Sequence, residues 1–252
     1  KMADATLGEY GSIAPEANAP RLRKRKAVIV MVAAITLTTL ALALGVVGDF
    51  LVLPGTTELV SYGNGHTFPN QHDAAMNHEP PAKYVVDCVT DVGDFNINVT
   101  TSWAPLGSKR FYNLVLNHFY DDNYFFRYAK DFVIQWGLRG IVPIDQAYKN
   151  AVILDDPVLH SNRVGYVTFA DAGPNSRNTQ IFVNLVHNRF LDPKGFAPFG
   201  QIGYKGMQTI EKINPEYAEQ ADQTKIMTEG NDYIKKNFPN MSYIKTCRLR
   251  AD

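Results

Sequence analysis

Three histidines, His66, His72 and His78, recur at six-residue spacing, a pattern that raises metal binding as the first chemistry to weigh. No cysteine stands near them and the i,i+4 spacing of helical zinc motifs is missing, so they read as solvated loop side chains, with no metal or cofactor expected. A different pattern lies between Gly165 and Ile202. Residues Tyr166 to Asp171 alternate like a half-buried strand, and Ala172-Gly173-Pro174-Asn175-Ser176 gathers the residue types that reverse a chain. Gln180 to Leu185 then returns as a second strand, with Gln180, Phe182 and Asn184 on one face and Ile181, Val183 and Leu185 on the other. One face therefore mixes amide and aromatic groups.

The elements that must hold this face are legible on both sides of it. Lys83 to Thr90 and Asp94 to Thr101 read as antiparallel strands joined near Gly93, with Phe95, Ile97 and Val99 inward. Thr101 or Ser102 is expected to cap the helix that follows, Pro105 suits its first turn, and Phe111, Leu114, Val115 and Phe119 form one apolar stripe. A second helix includes Met207, Ile210 and Ile213, and a last strand runs from about Tyr243 to Leu249. With 252 residues, 45% of them hydrophobic and 12% aromatic, the chain can bury one substantial core and has no need of a second large domain. Its 25 basic residues balance 25 acidic ones, which gives no electrostatic reason to expect nucleic acid.

The N-terminal quarter has another character. Residues 1–20 lack a usable apolar period and are expected to be disordered unless a partner outside the chain orders them. The chain begins with lysine rather than methionine, which reads as a processed or incomplete start and leaves open an earlier targeting peptide. The basic cluster Arg21, Arg23, Lys24, Arg25 and Lys26 closes this tail (1–26) and precedes an uncharged run at 27–48, which as a helix would span about 33 Å, the thickness of a bilayer core. We read it as a single transmembrane helix; a signal sequence's apolar region is usually shorter. By the positive-inside rule the N-terminus faces the cytosol, stroma or matrix, and everything after Phe50 faces the lumen, intermembrane space or exterior. Residues 49–82, rich in glycine, asparagine and proline signals, read as a linker to a domain at 83–252.

The domain resembles the cyclophilin family of peptidyl-prolyl cis-trans isomerases, in its extended, bacterial-style branch. The resemblance runs in order through Gly93-Asp94-Phe95, Trp103-Ala104-Pro105, Phe125-Phe126-Arg127 and Phe132-Val133-Ile134-Gln135. It continues through the central stretch, Phe190-Leu191-Asp192 and Gly195 to Gly200, and ends on Glu229-Gly230-Asn231, Phe238-Pro239 and Tyr243-Ile244. It implies a mainly β fold, a closed eight-stranded antiparallel barrel capped by two helices. It also implies that Arg127 is the catalytic arginine and Gln135 the glutamine that orients it. Phe132, Val133, Phe182, Phe190 and Leu191 would form the proline pocket, and Ala170, Asp171 and Gln180 would contact the substrate backbone. An arginine on a strand is by itself usually a surface ion-pair partner, and an apolar cluster is usually plain core. In that fold Cys88 and Cys247 lie on neighbouring strands, which leaves a disulfide and two buried thiols as open readings. Asn98 and Asn240 begin glycosylation sequons that are usable only on the secretory side of a membrane.

Several positions depart from the family's usual residues. Phe126 stands where histidine is common, Val133 for methionine, Asp171 for asparagine, Phe190 for tryptophan, and Lys130-Asp131 for proline-glycine; the pocket histidine near Gly195 and Phe196 is missing. Asp171 would bring negative charge close to Arg127, and the smaller pocket residues imply reduced activity. Two functions follow. One is a membrane-anchored isomerase acting on X-Pro bonds of protein clients, favoured by Arg127, Gln135, Gln180 and Phe182 together. The other is a non-catalytic accessory subunit of a larger membrane complex, favoured by the tail, the pocket substitutions and the extended C-terminus.

Overall fold

The computed structural model describes residues 59–251. The tail at 1–26 and the apolar run at 27–48 lie outside them, and among the described residues no helix is long and apolar enough to cross a membrane.

Nine strands form one antiparallel sheet. In chain order they are β3 (Lys83–Thr90), β4 (Asp94–Thr100), β5 (Asn123–Tyr124), β6 (Arg127–Ala129), β7 (Val133–Trp136), β8 (Tyr166–Phe169), β9 (Ile181–Asn184), β10 (Pro198–Ile202) and β11 (Tyr243–Leu249). Their order across the sheet is β5-β11-β3-β4-β10-β8-β9-β7-β6. The expected closed eight-stranded barrel is therefore corrected to an open, curled nine-stranded sheet. The cause is local. The two edge strands, β5 and β6, are consecutive in the chain with only Phe125 and Phe126 between them, so the edges must lie within about 10 Å of each other although no ladder joins them. A side chain straps one edge to the far end of the sheet: Asn123 in β5 accepts from Gly137 N at 2.8 Å and donates to Leu138 O at 2.7 Å, just beyond β7. The outer edge of β6 is covered in turn by a loop, with Tyr128 N donating to Ala218 O at 2.7 Å, which leaves little free backbone there.

Inside the curl lie Val86, Phe95, Ile97, Val99, Ile134, Val167, Ile181, Val183 and Phe199, all buried. This confirms the inward face expected for the second strand of the first pair. Helix α1 (Pro105–Leu116) covers the sheet with Phe111, Leu114 and Val115. Its cap is not the expected Thr101 or Ser102, which belong to a short 3-10 turn. Instead the carboxylate of Asp156, on a distant loop, accepts from Leu106 N at 3.0 Å and Gly107 N at 2.8 Å, satisfying donors that the helix cannot pair itself. Four further helices follow where the resemblance implied one: α2 (Val142–Tyr148), α3 (Tyr204–Ile210), α4 (Gln223–Glu229) and α5 (Asn231–Asn237). α4 and α5 build a second apolar cluster of their own with Phe126, Leu138, Ala221, Ile226, Tyr233, Ile234, Phe238 and Met241.

Cys88 and Cys247 are register partners on β3 and β11, with Cα atoms 4.2 Å apart, and are joined as a disulfide. This decides between the two readings left open.

The linker reading fails from Leu59 onward. Strands β1 (Leu59–Tyr62) and β2 (His66–Pro69) pair as a hairpin whose Phe68 is buried against Phe119 and Tyr148 at ring distances of 5.8 Å. Asn113 of α1 then holds the backbone of His78 from both sides, accepting from its N–H and donating to its carbonyl at 2.8 Å each. The Gly63-Asn64-Gly65 signal, which suits a tether, makes the turn of this hairpin. Truncating Phe68 to alanine is expected to lower stability to urea by about 3 to 5 kcal/mol. A change within about 0.5 kcal/mol would return this segment to a tether.

Candidate functional site

The alternation of the strands decides which side chains face outward. Arg127 on β6 is the register partner of Gln135 on β7, which is the partner of Phe182 on β9. Register partners share a face, so these three side chains form one row outside the curl while Ile134 and Val183 point into it. Gln180, two residues before Phe182, joins the same face, and its carbonyl accepts from Ala170 N at 2.9 Å.

Hydrogen bonds bind the row together. Arg127 Nη1 donates to Gln135 Oε1 at 3.1 Å, and Gln135 Nε2 donates to Gln180 Oε1 at 2.7 Å. The guanidinium also lies 5.7 Å from the centre of the Phe132 ring. Beside the row, Val133, Phe182 and Leu191 form a small apolar cluster with Ala129, against which Phe132, Ala170 and Phe196 pack. These groups line a cleft of about 310 Å³ together with the polar side chains of Asp171, Ser176 and Asn178.

Of the ten catalytic and substrate-contact residues expected from the sequence, nine line this cleft: Arg127, Phe132, Val133, Gln135, Ala170, Asp171, Gln180, Phe182 and Leu191. Phe190 does not. It is 53% exposed and stacks on Phe132 at 5.6 Å, with Lys194 Nζ 5.3 Å from its ring, so it braces a pocket wall from outside. Phe196 supplies a wall in its stead, packed edge-on to Phe182 at 5.9 Å. Asp171 is also placed differently from expectation. It does not pair with Arg127; its Oδ1 accepts from Gly173 N at 3.1 Å in the turn after β8. Partial burial pushes its carboxyl above the ordinary aspartate range, the Gly173 N–H opposes this, and the charge of Asp155 adds to it. The partner of Arg127 is instead Glu219, whose carboxylate accepts from Nε at 2.6 Å. No local pattern marks Glu219, because the pair joins segments far apart in the chain.

A buried amide network behind the cleft was equally silent in the sequence, apart from Asn184's place on the Gln180 and Phe182 face. Asn188 donates to Phe132 O at 3.0 Å and to Asn184 Oδ1 at 2.8 Å, and Asn184 donates to Asn162 Oδ1 at 3.2 Å. Asn162 donates to Phe196 O and to Asp192 Oδ1, each at 2.9 Å. Three asparagines that are almost wholly buried thus pair with one another and fix the backbone under both aromatic walls. On the far side Arg177, 1% exposed, meets Asp156 at 3.0 Å and ties the turn after β8 to the cap of α1.

The glycosylation candidates lie away from the cleft. Asn98, half-buried on β4, donates to Asn96 Oδ1 at 3.2 Å, and exposed Asn240 donates to Glu216 Oε2 at 3.2 Å. Among the described residues no cluster of three or more histidine, cysteine or acidic side chains could hold a metal.

Residues 85–236 match the family model described as cyclophilin type peptidyl-prolyl cis-trans isomerase/CLD. A peptidyl-prolyl cis-trans isomerase of Schizosaccharomyces pombe is 34% identical over 122 residues, 46% of this chain and 77% of the relative. One from Acinetobacter baylyi is 29% identical over 145 residues, 52% of this chain and 72% of the relative. In fold, the chain is similar to the crystal structure of a Cryptosporidium parvum cyclophilin type peptidyl-prolyl cis-trans isomerase, with a TM-score of 0.50, 19% identity, and coverage of 68% of this chain and 99% of that one.

Asp192 offers a test of the network by pH. Partial burial would raise its carboxyl, but hydrogen bonds from Ser161 Oγ and from Asn162, with Arg189 nearby, outweigh this and hold it below the usual range. A folded value below the unfolded one stabilises above an unfolded value of about 4, and that stabilisation is lost as the pH falls through the folded value. The stability gap between the wild type and Asp192→Asn is therefore expected to be widest near neutrality and to close below about pH 4. A gap unchanged down to about pH 2 would show that the charge contributes nothing.

Proposed function

The chain belongs to the cyclophilin-type peptidyl-prolyl cis-trans isomerases, and from that premise we propose that it turns X-Pro bonds of polypeptide clients in the cleft around Arg127. The observation that carries this is the hydrogen-bonded row Arg127, Gln135 and Gln180 beside an apolar pocket.

The chemistry requires little else. An amide resists rotation by about 18 to 20 kcal/mol because the nitrogen lone pair is delocalised into the carbonyl, and uncatalysed X-Pro rotation takes tens of seconds or more. The walls Phe132, Val133, Phe182, Leu191 and Phe196 are apolar and match a proline ring in character. Ala170, Asp171 and Gln180 flank the run along which the neighbouring peptide would lie. A guanidinium charged at any working pH then stabilises the twisted amide, whose nitrogen has regained its lone pair and accepts a hydrogen bond. Gln135 holds that guanidinium in place. Neither a nucleophile nor a metal takes part in this scheme. With Val133 where the family commonly has methionine, the pocket grips the proline ring less fully, in keeping with reduced turnover.

We read residues 27–48, with their basic N-terminal flank, as a single membrane anchor that leaves the isomerase domain in the lumen, intermembrane space or exterior. The Cys88–Cys247 disulfide supports an oxidising compartment, where the sequons at Asn98 and Asn240 would also be usable if it is secretory. Extraction of the chain by alkaline carbonate would sink the anchor.

The full chain in detergent is expected to accelerate isomerisation of short X-Pro peptides. Arg127→Ala should lower kcat/KM by about 100-fold or more, a loss of about 2.7 kcal/mol of transition-state stabilisation. No acceleration by a correctly folded chain would remove the catalytic reading and leave the domain as a docking piece in a complex.

A further inference from the structure

The guanidinium of Arg127 is held at two of its three nitrogens, and only one hold comes from the sheet. Gln135 accepts from Nη1, while Glu219 accepts from Nε. Nη2 has no protein partner among the described residues. Glu219 belongs to the loop between α3 and α4, which is itself pinned at several points. Ala218 O accepts from Tyr128 N at 2.7 Å, one residue along β6 from Arg127. Asn214 N donates to Ser242 Oγ at 3.1 Å, Asp222 N donates to Tyr233 Oη at 3.2 Å, and Ala221 is buried in the cluster that α4 and α5 build around Phe126. The carboxylate is thus delivered by the C-terminal helical unit.

Its electrostatic worth is limited. The Glu219 side chain is about half exposed and Arg127 about a third, so solvent screens the pair. Orientation is the larger effect. Arginine has a long, rotamer-rich stem, and one hydrogen bond to Gln135 leaves the guanidinium plane free to turn about that contact. A second acceptor on Nε fixes the plane.

We propose that Glu219 is a positioning residue of the isomerase reaction, through which the α4–α5 unit sets the aim of Arg127. This rests on Arg127 being the electrostatic centre of the site. In the full chain, Glu219→Ala is expected to lower kcat about fivefold, with KM for X-Pro peptides held within about twofold. Glu219→Gln, whose Oε1 can still accept from Nε, should recover most of the loss. In an Arg127→Ala background neither change should lower kcat further. The Arg127 Nε–Hε resonance in a ¹H–¹⁵N spectrum should shift in Glu219→Ala and return toward its wild-type position in Glu219→Gln.

An unchanged or raised kcat in folded Glu219→Ala would overturn the proposal. So would an equal loss in the Arg127→Ala background, which would make Glu219 a pin for the loop alone. If Arg127→Ala impairs turnover and Glu219→Ala does not, only the role of Glu219 falls. If Arg127→Ala is itself without effect, the reading of the site falls with it.

Discussion

Two phenylalanines join the edges of the sheet, and the remainder of the architecture follows from that short connection. Because β5 and β6 stand at opposite ends of the strand order yet are separated by Phe125 and Phe126 alone, the sheet has to curl until its edges lie within about 10 Å of each other. The alternating direction of side chains then sends the two rings to opposite sides. Phe125 packs into the main core, 5.4 Å from Trp136, and Phe126 is buried in the cluster made by α4 and α5. The strand is gripped from both faces immediately before Arg127. A guanidinium on a long stem gains a fixed origin in this way, and Asn123 holds the same connection from its other end.

The face that carries the cleft lies outside the curl, where a cleft must be built without the dense packing that an interior provides. Its rigidity comes from polar contacts. Asn162, Asn184 and Asn188 are buried, and buried amides are costly unless paired, so the network that satisfies them admits few alternative arrangements. The carbonyls it binds belong to Phe132 and Phe196, which are walls of the pocket. Arg177 does the corresponding work on the far side, where the buried pair with Asp156 couples the turn after β8 to the start of α1. Such a pair contributes more to fixing a geometry than to net stability, because desolvation offsets much of the attraction.

Departures from the family's usual residues acquire reasons in this setting. Phe126 replaces a histidine where the C-terminal helices need an apolar partner. Phe190 stands where the family commonly has tryptophan, at a site that stacks on the outside of Phe132 and does not line the cleft. The aspartate at 171 is turned into its own backbone turn and leaves Arg127 to Glu219. The extended C-terminus thereby adjoins the cleft through Phe126, Glu219 and Gln223, the last of which lines it.

Sequence by itself determined the strands that alternate strictly and the helices with a clear apolar stripe, since those periods are local properties of the chain. Lys83–Thr90, Tyr243–Leu249 and the buried face of α1 fell where the pattern put them. Family resemblance put nine of its ten expected residues in the cleft, because they sit on motifs a few residues long. Tertiary structure alone decided what depends on segments distant in the chain. The hairpin at Leu59–Pro69 looked like a linker because its turn residues are the same ones a tether uses, and only the burial of Phe68 distinguishes them. The cap from Asp156, the pair between Glu219 and Arg127, and the exclusion of Phe190 from the pocket are likewise contacts across the fold. A single hydrogen bond or stacking contact leaves no periodic trace in either of the segments it joins, so its partners emerge only once the chain has folded.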